Sequence, residues 1–343
     1  MTTEAHKMST FPVLDLSKFS DASPTEKKSL GQQVDEICRQ TGFLAITGHG
    51  VPDEAITRAW NSARTFFDLP VEKKLAVKMR YEGYPYGYSP LQSEALAKSK
   101  GEETPPDIKE SFNIGPLDVP KEVPAHALNE PYAAFRYATN IWPAEPGGFE
   151  QAWSDYYRAL GALAVKIMRV FAVALNLPEN FFDASIDDPI SAVRALNYPD
   201  QNAAPKPGQL RAGAHSDYGS LTILRADSAA GGLEIFNPQK QWQPVPAVAN
   251  GFVVNIGDLM ARWTNDRWVS TLHRVVNPPP DSTGSARRQS VAFFHQPNWD
   301  AEITCIPTCL APGEKPKYPP VRSGEYLMQK FQSTVKLGSA APK

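Results

Sequence analysis

The stretch Ala214-His-Ser-Asp-Tyr-Gly-Ser-Leu-Thr222 places an imidazole, His215, two residues before a carboxylate, Asp217. In an extended segment, residues i and i+2 project to the same face, so both side chains can reach one metal ion. A third candidate ligand, His273, lies 56 residues beyond Asp217 in the β-rich segment 270–276. Two imidazoles and one carboxylate form a facial triad that binds non-haem Fe(II) and leaves coordination positions open.

The next predicted strand, 287–294, adds a second polar group. Arg288 and Ser290 share one face of it with Ala292 and Phe294. A guanidinium fork with a hydroxyl beside it is suited to clamp a carboxylate. The alternative is that Arg288 forms an ion pair with an acidic residue on a solvated edge of the sheet.

The order His-x-Asp, distant His, Arg-x-Ser resembles the signature of the 2-oxoglutarate- and Fe(II)-dependent dioxygenases of the isopenicillin N synthase-like superfamily. The similarity extends beyond these residues, because five blocks are similar to the blocks of that family in the same order. These blocks are 213–224, 232–235, 254–259, 262–265 and 270–276. The segment Asp107-Ile-Lys-Glu-Ser-Phe112 is also similar to the fungal, thymine-dioxygenase-like branch of the family.

This resemblance implies a fold, a cofactor set and an activity. The fold is mainly β with flanking helices, around a double-stranded β-helix (jelly-roll) core. The implied cofactor is Fe(II), bound by His215, Asp217 and His273, with 2-oxoglutarate as co-substrate and O2 as oxidant. The distal carboxylate of 2-oxoglutarate is assigned to Arg288, Ser290 and Tyr198. The implied reaction converts 2-oxoglutarate to succinate and CO2 while a substrate C–H bond is hydroxylated. A carboxylate at position 217 favours hydroxylation over halogenation.

Two other functions stay open at this point. The first is an iron-dependent oxidase of the same fold, performing desaturation or ring closure or expansion. Arg288 and Ser290 argue against it, although related oxidases retain that pair. The second is a small-molecule-binding barrel without turnover, which three intact candidate ligands argue against.

Strand parity also indicates residues that line a substrate pocket. If Tyr198 faces inward on the predicted strand 192–198, so does Arg194. Tyr218 follows Asp217 directly, and with Phe294 it offers two rings that could sandwich a flat substrate. Arg194 would then bind polar groups on the edge of that substrate, since its charge is costly to bury unpaired.

The thymine-dioxygenase-like branch oxidises methyl groups on planar rings, and related fungal enzymes act on aromatic polyketides. We therefore expect a small planar aromatic or heteroaromatic metabolite, either an aromatic polyketide of fungal secondary metabolism or a pyrimidine, oxidised at a methyl group. The alternative is that Tyr218 and Phe294 are ordinary core residues and that Arg194 pairs with a nearby Asp or Glu.

Composition points to a small-molecule partner. The 343 residues are 42% hydrophobic and 21% charged, with a formal net charge of −2, which gives no electrostatic case for nucleic acid or membrane surfaces. The three cysteines are an odd number without paired metal-site spacing, so reduced thiols and a cytoplasmic location are expected. No apolar leader or membrane-length run is expected, and the oligomeric state stays open.

The order of predicted elements divides the chain into an N-terminal helical and strand region, 1–120, packed on a jelly-roll core with bracing and C-terminal helices, 121–343. Ser23-Pro-Thr-Glu26 predicts a capped helix start. Asp258 is expected to cap a short helical turn. Residues 81–120 are expected to form an ordered loop. Strands are predicted at 11–16, 43–47, 192–198, 221–225, 232–236, 252–256, 270–276 and 288–295, and long helices after Pro52, at 148–177 and at 321–331.

Overall fold

The computed structural model describes residues 11–201 and 203–332. The strands are β1 (Val13–Asp15), β2 (Phe43–Thr47), β3 (Gly87–Ser89), β4 (Glu110–Ile114), β5 (Ala192–Tyr198), β6 (Ala212–His215), β7 (Leu221–Ala226), β8 (Leu233–Phe236), β9 (Trp242–Pro244), β10 (Phe252–Ile256), β11 (His273–Val275), β12 (Arg288–His295), β13 (Glu302–Ile303) and β14 (Val321–Arg322). The α-helices are α1 (Pro24–Gln40), α2 (Asp53–Phe67), α3 (Val71–Leu75), α4 (Ala133–Arg136), α5 (Phe149–Ala174), α6 (Asp258–Trp263) and α7 (Ser323–Gln332).

Two sheets build the core. The larger has eight strands in the order β1-β2-β10-β7-β12-β5-β4-β3, and the smaller has four in the order β6-β11-β8-β9. From β5 to β12, consecutive strands alternate between the two sheets, except that β8 and β9 are neighbours in the smaller one, as the predicted jelly-roll requires. The predicted fold class, mainly β with flanking helices, is confirmed.

Helix α5 braces the larger sheet. Its buried stripe joins a core cluster with Val291 and Phe293 of β12, and the rings of Tyr157 and Phe293 meet edge-on at 5.6 Å. Removing a buried ring of this size costs about 3–5 kcal/mol. One face of β12 is therefore fixed against a helix, and the residues that alternate with Val291 and Phe293 must point the other way.

The pairing of β12 with β5 confirms which residues of β12 point away from helix α5. Arg288 lies opposite Tyr198 on β5, and Ser290 lies opposite Leu196. Directly opposite residues share a face of an antiparallel pair. By contrast, Arg287 directly precedes β12, and its side chain projects to the face opposite that of Arg288. Its guanidinium donates to Asp68 and Asn197 there. Arg288, not Arg287, therefore faces into the barrel.

Local signals were correct at one helix start and wrong at another. Ser23 and Glu26 form the reciprocal capping box predicted for α1. Helix α6, however, has Gly257 at its N-cap and no side-chain cap. The carboxylate of Asp258 instead accepts hydrogen bonds from Ser270 and Lys330, at 2.6 and 2.7 Å. These distant partners satisfy the carboxylate, so it does not fold back on its own helix.

The predicted loop at 81–120 was wrong in part, because it contains β3 and β4. Strand β4 is buried throughout and pairs with β5 and β3 in the larger sheet. Strand β11 is shorter than the predicted 270–276, and the hydroxyls of Ser270 and Thr271, which precede it, bond Asp258 and the Thr41 carbonyl.

Four strands before residue 120, β1 to β4, are hydrogen-bonded into the same eight-stranded sheet as β5, β7, β10 and β12. Strands on both sides of the predicted boundary thus share backbone hydrogen bonds. Among the helices that the structure describes, none is long and apolar enough to cross a membrane.

Candidate metal centre and co-substrate chamber

Strand pairing brings the candidate ligands together. His215 ends β6 and lies opposite His273, the first residue of β11, with ring centroids 4.3 Å apart. Asp217 follows two residues after His215, and its Oδ1 lies 4.0 Å from His215 Nε2 and 3.6 Å from His273 Nε2. The ligand atoms of the three side chains all lie within 4.8 Å of one another, a spacing that suits one shared metal ion.

Backbone carbonyls orient both imidazoles. Nδ1 of His215 lies 2.7 Å from the Gly213 carbonyl, and Nδ1 of His273 lies 3.1 Å from the Thr271 carbonyl. A carbonyl can only accept, so each Nδ1 carries a proton, and in the neutral form of each ring Nε2 keeps its lone pair. Both lone pairs are thus available on the side of Asp217, the usual arrangement for imidazoles that bind a metal.

The carboxylate of Asp217 is held in the same way. Its Oδ2 accepts the Thr222 hydroxyl at 2.6 Å and the Asn255 amide at 2.7 Å. Thr222 and Asn255 are opposite each other on β7 and β10. Two strands of the larger sheet therefore fix one oxygen of Asp217 and leave Oδ1 for a cation.

The electrostatics of the three groups favour a divalent cation. Burial, together with the neighbouring His273, lowers the pKa of His215 to about 3. Burial opposes ionisation of Asp217, but the two histidines and the Asn255 amide hold its pKa well below the usual range. Burial also disfavours a charged His273, yet the Asp217 carboxylate raises its pKa. A metal ion would compete with that proton and supply the positive charge that Asp217 attracts.

Arg288 lies deep in the barrel. It is 3% exposed, its guanidinium carbon lies 5.2 Å from the centre of the Tyr198 ring, and Ser290 on the same face is 2% exposed. Within the described part of the chain, Nη1 of Arg288 is buried without a hydrogen-bond partner. An ion pair on a solvated edge, the alternative considered from sequence, is therefore wrong.

Arg288 also lines a cavity of about 390 Å³, whose walls include the apolar side chains of Leu224, Leu233 and Val253. A buried cation with an unpaired donor beside a cavity fits an anionic ligand, because an unpaired buried charge is costly. The cavity wall at Arg288, which we call the co-substrate chamber, therefore suits a carboxylate of a small organic acid, although the lining also includes Asp227 and Glu234 and does not extend to His215, Asp217 or His273.

Arg194 faces the same side of the sheet, opposite Ala292 of β12 and Asn113 of β4. Its Nε donates to Asn113 Oδ1 at 2.7 Å, and its two Nη groups reach the oxygens of Glu94 at 3.2 and 3.3 Å. Arg194 thus forms an ion pair with Glu94, as in the alternative in which Arg194 pairs with a nearby Asp or Glu. Sequence reasoning missed Glu94, which lies in an irregular segment without any periodic signal.

The two predicted aromatic residues lie near the candidate ligands in sequence or in strand register. Phe294 lies opposite Thr222, whose hydroxyl holds Asp217, and Tyr218 follows Asp217 in the chain. The ring of Tyr218 meets that of Phe331 on α7 edge-on at 5.9 Å. The C-terminal helix therefore packs against the segment that carries Asp217.

A jelly-roll that holds a two-histidine, one-carboxylate cluster and a buried arginine defines the class of non-haem iron oxygenases. Similarity to known proteins indicates the same class. Residues 11–145 match the N-terminal region described for a non-haem dioxygenase in morphine synthesis, and residues 190–297 match the 2OG-Fe(II) oxygenase superfamily. The chain is 36% identical over 90% of its length to the 2-oxoglutarate-Fe(II) type oxidoreductase hxnY of Emericella nidulans, covering 86% of that protein.

The chain is also 33% identical over 85% of its length to the 2-oxoglutarate-dependent dioxygenase tropC of Talaromyces stipitatus, covering 88% of it. Among solved structures, a full-length Neurospora crassa protein in complex with alpha-KG is similar with a TM-score of 0.82 and 34% identity, covering 94% of this chain and 96% of that one. The same Neurospora crassa protein in complex with alpha-KG and thymine gives a TM-score of 0.81 and 33% identity over the same shares.

The chain belongs to the 2-oxoglutarate- and Fe(II)-dependent dioxygenases, in the fungal, thymine-dioxygenase-like branch. It is an enzyme whose cofactor is Fe(II) and whose co-substrate is 2-oxoglutarate. The unpaired guanidinium of Arg288 and the cluster of His215, Asp217 and His273 fit both groups.

Proposed function

We propose that this dioxygenase hydroxylates a methyl group on a small, planar aromatic or heteroaromatic metabolite. The proposed iron ligands are His215, Asp217 and His273. The observation that carries the proposal is the inward face of β12. That face begins at Arg288 and ends at Phe294. Phe294 lies opposite Thr222, whose hydroxyl donates to Asp217. One strand face thus runs from the carboxylate clamp to the metal cluster.

We assign the distal carboxylate of 2-oxoglutarate to Arg288, with Ser290 as hydroxyl donor and Tyr198 beside them. The guanidinium fork can bind both carboxylate oxygens, and the Tyr198 ring stacks on its cationic face. This would place the 2-oxo acid end of the molecule toward the ligand cluster. Fe(II), 2-oxoglutarate and O2 together supply the oxidising power for C–H hydroxylation, and the chain's residues hold and orient the reactants.

The substrate site lies further along the same face. Arg194 is opposite Ala292, between the clamp and Phe294 in register. Glu94 neutralises Arg194, and Lys109, which is buried beside Glu94, is neutralised by Asp107 at 2.8 Å. Two cations and two carboxylates balance each other in this cluster. A neutral substrate edge with oxygen or amide groups therefore suits it better than an ionised one.

A planar ring is supported by the aromatic residues at the metal end of the site. Tyr218 follows Asp217 in the chain, and Phe294 lies opposite Thr222, whose hydroxyl bonds Asp217. Flat aromatic side chains favour stacking against a flat ligand. The similar Neurospora crassa structure holds thymine, a pyrimidine that carries a methyl group. We extend that substrate class, not thymine itself, to this chain.

The test is an oxidation assay of methylated planar rings, pyrimidines and phenolic polyketides, with succinate and product measured in parallel. The wild-type enzyme should form hydroxymethyl product that contains one oxygen atom from ¹⁸O2. Arg194→Ala should lose substrate-dependent oxidation but retain uncoupled succinate formation. Arg58→Ala, which breaks an exposed ion pair with Asp155, is the matched control and should behave as wild type.

Two results would change the proposal. Unlabelled, desaturated or ring-closed product would support an oxidase reaction of the same fold. Equal loss of product and succinate in Arg194→Ala would assign Arg194 to folding or to the co-substrate, and unchanged product would remove it from the pocket.

A further inference from the structure

A second buried arginine lies beside the co-substrate chamber. Arg211 directly precedes β6, and none of its surface is exposed. One Nη group donates to the Ala230 carbonyl at 2.7 Å, and the other donates to the Ala286 carbonyl. Both acceptors are neutral. Nε of Arg211 is buried without a hydrogen-bond partner among the described residues.

Arg211 and Arg288 share one neighbour. The guanidinium carbon of Arg211 lies 5.9 Å from the centre of the Tyr198 ring, and that of Arg288 lies 5.2 Å from it. Burial and the charge of Arg288 lower the pKa of Arg211. Two like charges around one phenol ring repel each other, and such an arrangement is costly in a protein interior unless an anion is present.

The carboxylates that act on Arg211 are engaged elsewhere. Asp227 accepts hydrogen bonds from the backbone amides of Gln289 and Ala229, at 2.7 and 3.2 Å. Asp200 accepts the Ser285 hydroxyl and the Ala286 amide, at 2.9 and 2.7 Å. These carboxylates weaken the positive potential of the chamber but do not form a direct bond that would quench it.

We infer that Arg211 is a positioning residue of the 2-oxoglutarate site, and that its charge and its packing on Tyr198 select 2-oxo acids with a distal carboxylate. The inference rests on the proposed assignment of that carboxylate to Arg288. Arg288 binds the carboxylate directly, while Arg211 supplies a second positive charge behind the ring. A monocarboxylic 2-oxo acid of equal length would leave both charges uncompensated.

The geometry separates this role from that of a structural brace. A brace needs only the bonds to the carbonyls of Ala230 and Ala286, which a neutral amide can partly replace. The charge effect needs the cation, and it acts only on ligands that carry the distal carboxylate. The ratio of the dissociation constants of 2-oxopentanoate and 2-oxoglutarate therefore reports the charge, because a general loss of structure weakens both ligands alike.

The experiment measures that ratio by calorimetric titration of the Mn(II)-loaded protein, without turnover. Arg211→Gln should lower the ratio about tenfold, equivalent to about 1.4 kcal/mol, while Arg211→Lys should keep it within about threefold of wild type. Arg225→Gln is the matched control, because Arg225 also donates to two main-chain carbonyls, those of Val248 and Gly251. It should lose stability without changing the ratio.

A variant that removes Arg288 keeps the inference testable if Arg211→Gln does not fold. Arg288→Gln should still prefer 2-oxoglutarate over 2-oxopentanoate, since the charge of Arg211 remains. Equal affinity for the two acids in Arg288→Gln, or an unchanged ratio in Arg211→Gln, would overturn the role of Arg211. Failure of the wild-type protein to bind 2-oxoglutarate would instead overturn the proposed co-substrate site.

Discussion

The hydroxyl of Thr222 donates to Oδ2 of Asp217 over 2.6 Å, and this bond joins the larger sheet to the candidate metal-binding cluster. Asp217 lies in the segment between β6 and β7, so its carboxylate is not fixed by strand pairing. Thr222, on β7, and its neighbour Asn255, on β10, fix it instead. Hydrogen bonds to a ligand carboxylate keep the free oxygen directed at the cation and reduce the entropy lost on binding.

Replacing Thr222 with Val should therefore weaken metal binding while preserving the fold. The two side chains have the same shape, but Val cannot donate to Asp217. Loss of such a supporting bond typically reduces metal affinity about 10- to 100-fold. Competition with a chelator for Fe(II) or Mn(II) would measure the change.

Thr264→Val is the control for that substitution. Thr264 is buried, and its hydroxyl donates to the Met260 carbonyl in α6, away from the ligand cluster. This variant should lower the free energy of unfolding and leave metal affinity unchanged. Equal metal affinity in Thr222→Val and wild type would show that Thr222 does not hold Asp217.

Arg288→Lys should raise the KM for 2-oxoglutarate with little effect on iron affinity. A single ammonium cannot reproduce two parallel bonds to a carboxylate. The loss of one charged hydrogen bond corresponds to an increase of about tenfold to a hundredfold. Steady-state kinetics at saturating substrate would measure it.

Arg287→Lys is the neighbouring control, because Arg287 bonds Asp68 and Asn197 on the opposite face of β12. Its KM for 2-oxoglutarate should equal that of wild type. An increase in KM for Arg287→Lys but not for Arg288→Lys would mean that the assigned face of β12 is wrong.

Asp107 explains part of the 107–112 motif, and its loss should destabilise the protein. Its Oδ1 accepts the Gly213 amide at 3.0 Å, and Gly213 in turn accepts from His215. Its Oδ2 accepts from Lys109, which is 3% exposed. Asp107→Asn should lower the free energy of unfolding by about 1.5–3 kcal/mol, the usual contribution of a charged hydrogen bond.

Denaturant unfolding would measure that change. Glu145→Gln serves as the control, since Glu145 pairs with Lys73 on the surface, with about half of each side chain exposed. Exposed pairs contribute about 0–1 kcal/mol. A loss in Asp107→Asn no larger than in Glu145→Gln would contradict the role of Asp107 in holding Gly213 and Lys109.

The Glu94 pair predicts a pH dependence of stability. Burial alone would raise the pKa of Glu94, but Arg194 and Lys109 lower it to about 2. Since the folded pKa is below the unfolded value, the stabilisation is fully present above about pH 4.5 and is lost as pH falls toward 2.

The stability difference between wild type and Glu94→Gln should accordingly be constant from pH 7 to about pH 5 and shrink on further acidification. Chemical unfolding at a series of pH values would measure it. A difference that grows as pH falls would mean that Glu94 is not held ionised by Arg194 and Lys109.

β-rich composition and the Pro, Gly, Asn and Asp residues between the segments predicted the strands that carry the site. The bounds of β5, β10 and β12 match the predicted segments 192–198, 252–256 and 288–295. The inward face of β12 followed from the alternating direction of successive side chains along a strand. A two-residue period is local information, so it can be obtained from one strand alone.

Residues whose roles depend on distant partners could not be predicted in this way. Strand β4 reads Glu-Ser-Phe-Asn-Ile, and its polar–apolar alternation covers only four residues, because Glu110 lies on the face of Phe112 and Ile114, buried against Lys74 and Asn197. Arg211 precedes the ligand motif but stacks on Tyr198 only once β5 and β6 are in place. Such contacts depend on tertiary structure, which a single sequence does not display.

His215, Asp217 and His273 are proposed to hold the iron at which 2-oxoglutarate is consumed. The most direct measurement is anaerobic titration of the Fe(II)-loaded protein with 2-oxoglutarate, followed by admission of air and measurement of succinate. Wild type, and Asp68→Ala as a control at an exposed carboxylate, should show a weak visible charge-transfer band and then form succinate. Asp217→Ala should show neither. Normal iron content and wild-type succinate formation in Asp217→Ala would show that Asp217 does not bind the iron.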